Sequence, residues 1–170
     1  RNPVVFLDVA VDGVLSGKRF SRGRIELLLR ADVAPTTSEN FRCLCTGERG
    51  DGLSYKGTLL HRIIPSWCVQ GGALPGKSIY GKRFPDENFL LPQDQPGVLS
   101  MANSGPGTNA SGFFITCDAA PENNGRHVAF GRVISGMDVV RVIEALGTPT
   151  GKPTAEVTIV DCGQLVAAGP

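Results

Sequence analysis

An excess of charge of either sign is the first thing the chain lacks. Seventeen basic residues stand against 16 acidic ones, a formal net of +1. An electrostatic grip on nucleic acid is therefore not expected. Long apolar runs are also missing, since none approaches the ~20 residues that a membrane helix requires; no membrane partner is expected. Histidines number two, His61 and His127, and the five cysteines (Cys43, Cys45, Cys68, Cys117, Cys162) are odd in number. Their spacings do not give the paired CxxC clusters of a zinc site. Neither a metal nor a cofactor is expected. The thiols read as reduced and mostly buried, which leans toward the cytoplasm, with the nucleus as the other compartment. No signal-peptide pattern is visible, and Arg1 reads as a cut or processed end.

Turn formers and a moderate apolar content are what the chain does have. Apolar residues make up 41% and charged residues 19% of 170 positions, enough for one well-filled domain over 1–170. Glycine (22) and proline (12) together fill a fifth of the chain, against roughly 12% on average. Turns should be many and helices few. A monomer is the expectation.

Alternation in Val5, Leu7, Val9 and Val11 predicts a first strand, with a turn signal at Asp12-Gly13. Ile25–Leu29 predicts a second. Between them Gly17–Arg24 carries four positive charges, read as a solvated hairpin tip rather than an acidic-partner dock. Six further short runs read as strands: Leu59–Ile64, Trp67–Gln70, Gly97–Ala102, Gly112–Thr116, Val128–Ile134 and Val157–Cys162. Thr36 and Glu39 after Pro35 form a capping-box pattern, and Phe41, Leu44 and Cys45 share a helical face that stops at Gly47. A second helix is predicted with Ser135 as its cap, Asp138 in its first turn, and Val139, Val140, Ile143 and Leu146 as its stripe. The helices do not alternate with the strands. The expected fold is mainly β: a closed eight-stranded antiparallel β-barrel capped by two α-helices. The tail from about Val166 to Pro170 reads as frayed.

Several motifs mislead. Gly71-Gly72-Ala73-Leu74-Pro75-Gly76-Lys77-Ser78 fits the phosphate-loop pattern, and Val157–Asp161 resembles the acidic strand that accompanies it. That chemistry needs a helix N-terminus directly after the loop, and Ile79-Tyr80-Gly81 followed by Pro85 does not permit one. Arg49-Gly50-Asp51 spells an adhesion tripeptide and Asn109-Ala110-Ser111 a glycosylation acceptor; neither is specific. No serine sits in a GxSxG turn. His61, within an apolar run, reads as a hydrogen-bonded core or wall histidine.

A set of ordered blocks carries the next step. They include Asn2–Val9, Pro35–Arg42, Tyr55-Lys56-Gly57, His61-Arg62-Ile63-Ile64-Pro65, Gln70-Gly71-Gly72, Ser78-Ile79-Tyr80-Gly81, Asp86–Phe89, Leu99–Asn103, Phe113-Phe114-Ile115, His127–Gly131 and Asp161–Leu165. In this order, from about Asn2 to Leu165, the chain resembles the cyclophilins, the cyclosporin-binding peptidyl-prolyl isomerases. The resemblance implies the same eight-stranded barrel with two helices. It also implies isomerisation of X–Pro bonds in peptides and proteins, assisting protein folding, without nucleophile, metal or cofactor. Arg62 matches the guanidinium that the family uses for catalysis. Phe114 and His127 match the proline slot; Gln70, Ala102 and Asn103 match its polar and backbone contacts.

The departures fall on the same site. Trp67 and Cys68 stand where the slot has Phe and Met. Gly112 replaces a glutamine that helps position the arginine. Glu122 and Asn123 replace a Trp-Leu pair, removing apolar wall and an indole N–H that contacts cyclosporin. The loop after Gln70-Gly71-Gly72 is shorter than the family's, while the hairpin around Arg19 and the loop around Leu53 are longer. The chain thus reads as a divergent cyclophilin with weakened isomerase activity and weak cyclosporin binding. The alternative is a catalytically impaired module that binds proline-containing peptides, part of a larger protein. A third reading, a barrel that carries a small apolar ligand, predicts an open interior.

Overall fold

In the computed structural model, residues 2–11, 22–50 and 52–165 are described. The tip of the charged hairpin, Asp51 of the adhesion tripeptide and the 166–170 tail lie outside them.

Eight strands and two helices form where alternation and helical spacing place them. The order is β1 (Val4–Val11), β2 (Arg22–Leu29), α1 (Pro35–Thr46), β3 (Arg62–Ile64), β4 (Cys68–Gly71), β5 (Val98–Met101), β6 (Phe113–Thr116), β7 (Ala129–Ser135), α2 (Met137–Glu144) and β8 (Val157–Leu165), with a single 3-10 turn at Pro121–Asn123. All pairings in the one sheet are antiparallel, in the spatial order β3-β4-β6-β5-β7-β2-β1-β8. Strands of period two send alternate residues to one face. Val5, Leu7, Val9 and Val11 of β1 therefore point inward with Ile25, Leu27 and Leu29 of β2, all buried.

The sheet curls but does not close, which corrects the expected closed barrel. β3 and β8 are its two edges, and no ladder joins them. The chain just before β3 makes the approach instead, through the isolated bridge Leu59–Thr158 and three backbone bonds: Gly57 N–H to Ile159 O at 2.7 Å, Ile159 N–H to Thr58 O at 2.8 Å and Leu60 N–H to Val157 O at 2.8 Å. β3 is only three residues long, and Gly57 upstream sits at φ +86. Too few extended residues remain there for a continuous ladder, so the result is a curled half-barrel.

Its concave side is filled. Phe41 of α1 lies 5.1 Å from Tyr55 and from Phe113 and 5.4 Å from Phe130, centroid to centroid, at tilted or edge-on angles that aromatic rings prefer. α1 packs against β1, β7 and β8, and α2 against β2, β3 and β4.

Both helix starts differ from expectation. Neither Thr36 nor Glu39 caps α1. The N-cap position is Ala34 and makes no side-chain bond; Glu39 pairs with Arg42 at 2.8 Å instead. The orphan N–H groups of Thr36 and Thr37 donate to the Glu87 carboxylate at 3.0 and 2.8 Å. A carboxylate at a helix N-terminus satisfies the donors and meets the dipole, whatever part of the chain supplies it. Gly47 ends the helix as expected, at φ +71, donating to Cys43 O. Ser135 is the last residue of β7, and Gly136 at φ +92 opens α2; a side chain there would collide with the carbonyl of Arg24.

His61 is exposed and precedes β3 rather than lying within a strand. Leu60, 2% exposed, takes the inward position, and alternation turns its neighbour outward. The phosphate-loop look-alike starts at the end of β4 and turns at Pro75-Gly76 with no helix after it. Ser78 Oγ donates to Lys82 O, closing a local turn.

Candidate functional site

The site lies on the outer face of the sheet. The inner residues of β3, β4, β6 and β5 are Ile63, Val69, Phe113, Ile115, Leu99 and Met101, all in the core. Their neighbours must point the other way. Arg62 pairs with Gln70, Gln70 with Phe114, and Phe114 with Ser100. Residues directly opposite share a face, so these four form one row across four strands. Phe113 and Phe114, adjacent and identical, thus serve core and site respectively.

A slot of about 80 Å³ opens on that row, lined by Arg62, Trp67, Cys68, Gln70, Ala102, Asn103, Phe114, Asn123 and His127. Nine of the eleven residues expected from sequence come together here. Gly112 is not among them. It lines the neighbouring groove of about 240 Å³, which also takes in Gln70, Ala102, Asn103, Ser111 and His61. Glu122 is exposed beside Asn123, on the 3-10 turn, outside the slot. A turn of that pitch faces consecutive residues in different directions. On the far side a third groove, of about 560 Å³, shares Asn103 and His127 and adds Phe89, Pro106 and Arg126. The slot is therefore a recess midway along a furrow.

Local geometry sets each group. Between β3 and β4 the chain reverses through Pro65-Ser66, with Trp67 N–H donating to Ile64 O at 3.0 Å and Ser66 at φ +65. Pro at the second position and a positive φ at the third are the demands of a type II turn. Ser66 meets the second demand without being glycine, and its N–H donates to Glu144 Oε2 at 2.6 Å. The turn sets Trp67 at the slot's rim, with the Arg62 guanidinium 5.3 Å from its ring centroid, within cation–π reach. Arg62 donates to Gln70 Oε1 at 3.2 Å, and it has no ion pair among the described residues. The Phe114 ring meets His127 edge-on at 5.2 Å. His127 Nδ1 lies 2.9 Å from Met101 O, which fixes the ring's orientation. Burial pushes the Cys68 thiol up to about 11, against the pull of Arg62, so this thiol is a wall and not a nucleophile.

Two residues with parts to play here carry no sequence motif. Gln93 is fully buried and donates from Nε2 to the carbonyls of Asn123 and His127 at 3.3 and 3.1 Å, clipping the loop that brings both to the slot. Gly151 accepts the Ile63 N–H at 2.9 Å. A Cβ on it would come within 2.9 Å of Arg62 Cγ, so the glycine leaves the stem of the arginine its room. The turn residues Thr148–Pro153 around Gly151 were the available signal, but they mark a loop and not its neighbour.

The arrangement combines a recess walled by Phe114, Trp67, Cys68 and Ala102 with polar side chains between them, a cation at its rim with no ion pair among the described residues, and a furrow on either side. Such a surface can seat a compact ring while an extended chain runs through, and can offer a hydrogen-bond donor to an amide that turns. Residues 14–164 match a family model described as cyclophilin type peptidyl-prolyl cis-trans isomerase/CLD.

Proposed function

The chain belongs to the cyclophilin-type peptidyl-prolyl cis-trans isomerases, and we propose that it turns over X–Pro bonds in peptides and proteins at a weakened rate, assisting their folding. The observation that carries this reading is the Arg62 guanidinium at the rim of a slot walled by Phe114, Trp67 and His127. An X–Pro bond isomerises over a barrier of ~18–20 kcal/mol, in tens of seconds or longer unaided. The barrier is the lost C–N conjugation of the twisted amide. A group helps only if it binds the twisted form better than the planar one. When conjugation is lost, the prolyl nitrogen becomes a pyramidal amine with a free lone pair. A guanidinium at the rim can donate to that lone pair, while the slot holds the ring and the furrow holds the chain.

The weakening follows from how Arg62 is held. Among the described residues its one side-chain hydrogen bond is to Gln70, at the long end of the hydrogen-bond range, and Gly112 brings no second one. Misplacement by about 1 Å costs on the order of 100-fold in rate. Cyclosporin binds weakly in this reading, because Asn123 and Glu122 supply no apolar wall. A titration giving the affinity of an ordinary cyclophilin refutes that expectation. The protein acts as a monomer on proline-containing segments, in the cytoplasm or nucleus.

A proline-isomerisation assay across X–Pro peptides, with Arg62→Ala beside the unchanged chain, tests the proposal. Turnover above the uncatalysed rate that vanishes in the variant is expected. The long bond from Arg62 to Gln70 also favours a second reading, a proline-binding module without turnover. Proline segments lose little entropy on binding, so a furrow can recognise them without isomerising them. Peptide binding by a folded chain that shows no turnover selects this second reading.

A further inference from the structure

We propose that the far groove selects proline segments that carry a bulky apolar side chain within about three residues of the proline, seated on Phe89; the inference rests on reading the slot as a prolyl site. The slot is a recess of about 80 Å³, so a ring seated in it leaves the flanking chain to be held elsewhere. The far groove, of about 560 Å³, begins where the slot ends, since Asn103 and His127 line both. An extended chain advances ~3.3 Å per residue, and about three residues carry it from one into the other.

The walls of the groove set which side chain fits. Phe89 and Pro106 line it, and Phe89 is 43% exposed beside Leu90 at 74%. Gly105 and Gly125 line it as well, and open space lies where their side chains would be, so the groove keeps its width. Asp86 and Asn103 spend both ends of their side chains within the walls. Asp86 accepts from Asn109 Nδ2 at 2.8 Å and from the Gly107 N–H at 3.0 Å. Asn103 donates to Arg126 O at 2.8 Å and accepts from the Gly105 N–H at 3.2 Å. These bonds brace the walls before a ligand arrives, which lowers the ordering cost of binding. The lining carries one carboxylate, Asp86, and one guanidinium, Arg126, so neither sign of charge is selected. Arg126 has no ion pair among the described residues and is left to donate to a carbonyl of the bound chain. What remains is an aromatic face and a prolyl ring, against which a leucine-sized side chain removes apolar surface from water on both partners. The competing occupant of the exposed Phe89–Leu90 pair is a second copy of this chain.

Matched peptides with one proline in an alanine background decide between these. Leucine is placed at each of three positions on either side of the proline, one at a time. Each peptide is titrated into the intact chain by calorimetry, with the emission of Trp67, the only tryptophan, reporting occupation of the slot. Leucine at one or more of these positions is expected to tighten binding roughly three- to tenfold over the all-alanine peptide, the value of half-burying such a side chain. In Phe89→Ala that gain falls to within twofold, and in Phe89→Leu it is kept. Phe89→Gln repeats the loss should the alanine variant not fold. A gain that survives in both the alanine and the glutamine variants overturns the part given to the groove. A dimer of the free chain in sedimentation, dissociated by Phe89→Ala, overturns the proposal and assigns the groove to a second copy. If none of the peptides binds, the prolyl reading of the slot falls and this inference falls with it. Binding of all of them at equal strength removes the inference alone.

Discussion

Replacing Gly151 by alanine should disable Arg62 without altering it chemically. The added Cβ would stand 2.9 Å from Arg62 Cγ and 3.4 Å from its Nε. Carbon atoms rest at ~3.5–4.0 Å, so the arginine stem must move by roughly half an ångström or more. The guanidinium has no slack to absorb that shift. Its bond to Gln70 is already 3.2 Å long, at the end of the ~2.7–3.2 Å range. A site loses on the order of 100-fold for each ångström of misplacement, which puts the expected fall in kcat/KM near tenfold. Alanine at φ +93 also costs ~1–2 kcal/mol of backbone strain. At ~2–4 °C per kcal/mol for a chain of this length, the melting temperature should fall by about 2–8 °C. Isomerase assays on X–Pro peptides, with thermal melting and Trp67 emission in parallel, separate the two effects. The loss should sit in kcat, because Phe114, Trp67 and His127 still hold the ring. A Gly151→Ala chain that melts lower but keeps kcat/KM within twofold, while Arg62→Ala loses it, refutes the argument that Gly151 sets the position of Arg62.

Removing the distant cap of α1 with Glu87→Ala strips the acceptor from the N–H groups of Thr36 and Thr37 and from the Thr37 hydroxyl. The expected loss is ~0.5–2 kcal/mol, seen as a lower melting temperature, whereas Glu39→Ala, at the expected capping-box position, should leave the helix start intact. The thiols should resist alkylation at neutral pH, because burial pushes Cys68 and Cys162 up to about 11 and Cys117 up to about 12. Since those folded-state values lie above the ordinary thiol value of 9.0, the native state holds its protons more tightly. Stability from these groups is complete below pH 9 and is lost as pH rises toward 11. Mass spectrometry after iodoacetamide treatment at pH 7.5 checks this; prompt labelling of Cys68 in the folded chain contradicts it.

The short periodicities of this sequence carry most of its secondary structure. Val5, Leu7, Val9 and Val11 alternate, Phe41, Leu44 and Cys45 recur at helical spacing, and Gly47 ends their helix; each signal is complete within about ten residues. All eight strands form where such signals lie, and the row from Arg62 to Ser100 follows from two-residue alternation once the pairings are known. Nine of the eleven residues expected from sequence, those of the ordered blocks and those of their departures, line one slot, because alternation turns them to one face. The pairings themselves, and everything that depends on them, belong to the tertiary structure. Glu87 reaches the start of α1 from about fifty residues away, and Gln93 clips a loop thirty residues on. Gly151 makes room for an arginine that no local pattern associates with it. The open edge between β3 and β8, the outward turn of His61 and the exclusion of Gly112 and Glu122 from the slot were decided in the same way. A side chain's periodicity is a property of its own segment. Its partner is set by which segments the collapsed chain brings within a few ångströms, and a hydrogen bond satisfies a helix end or a loop carbonyl equally well from any point in the sequence.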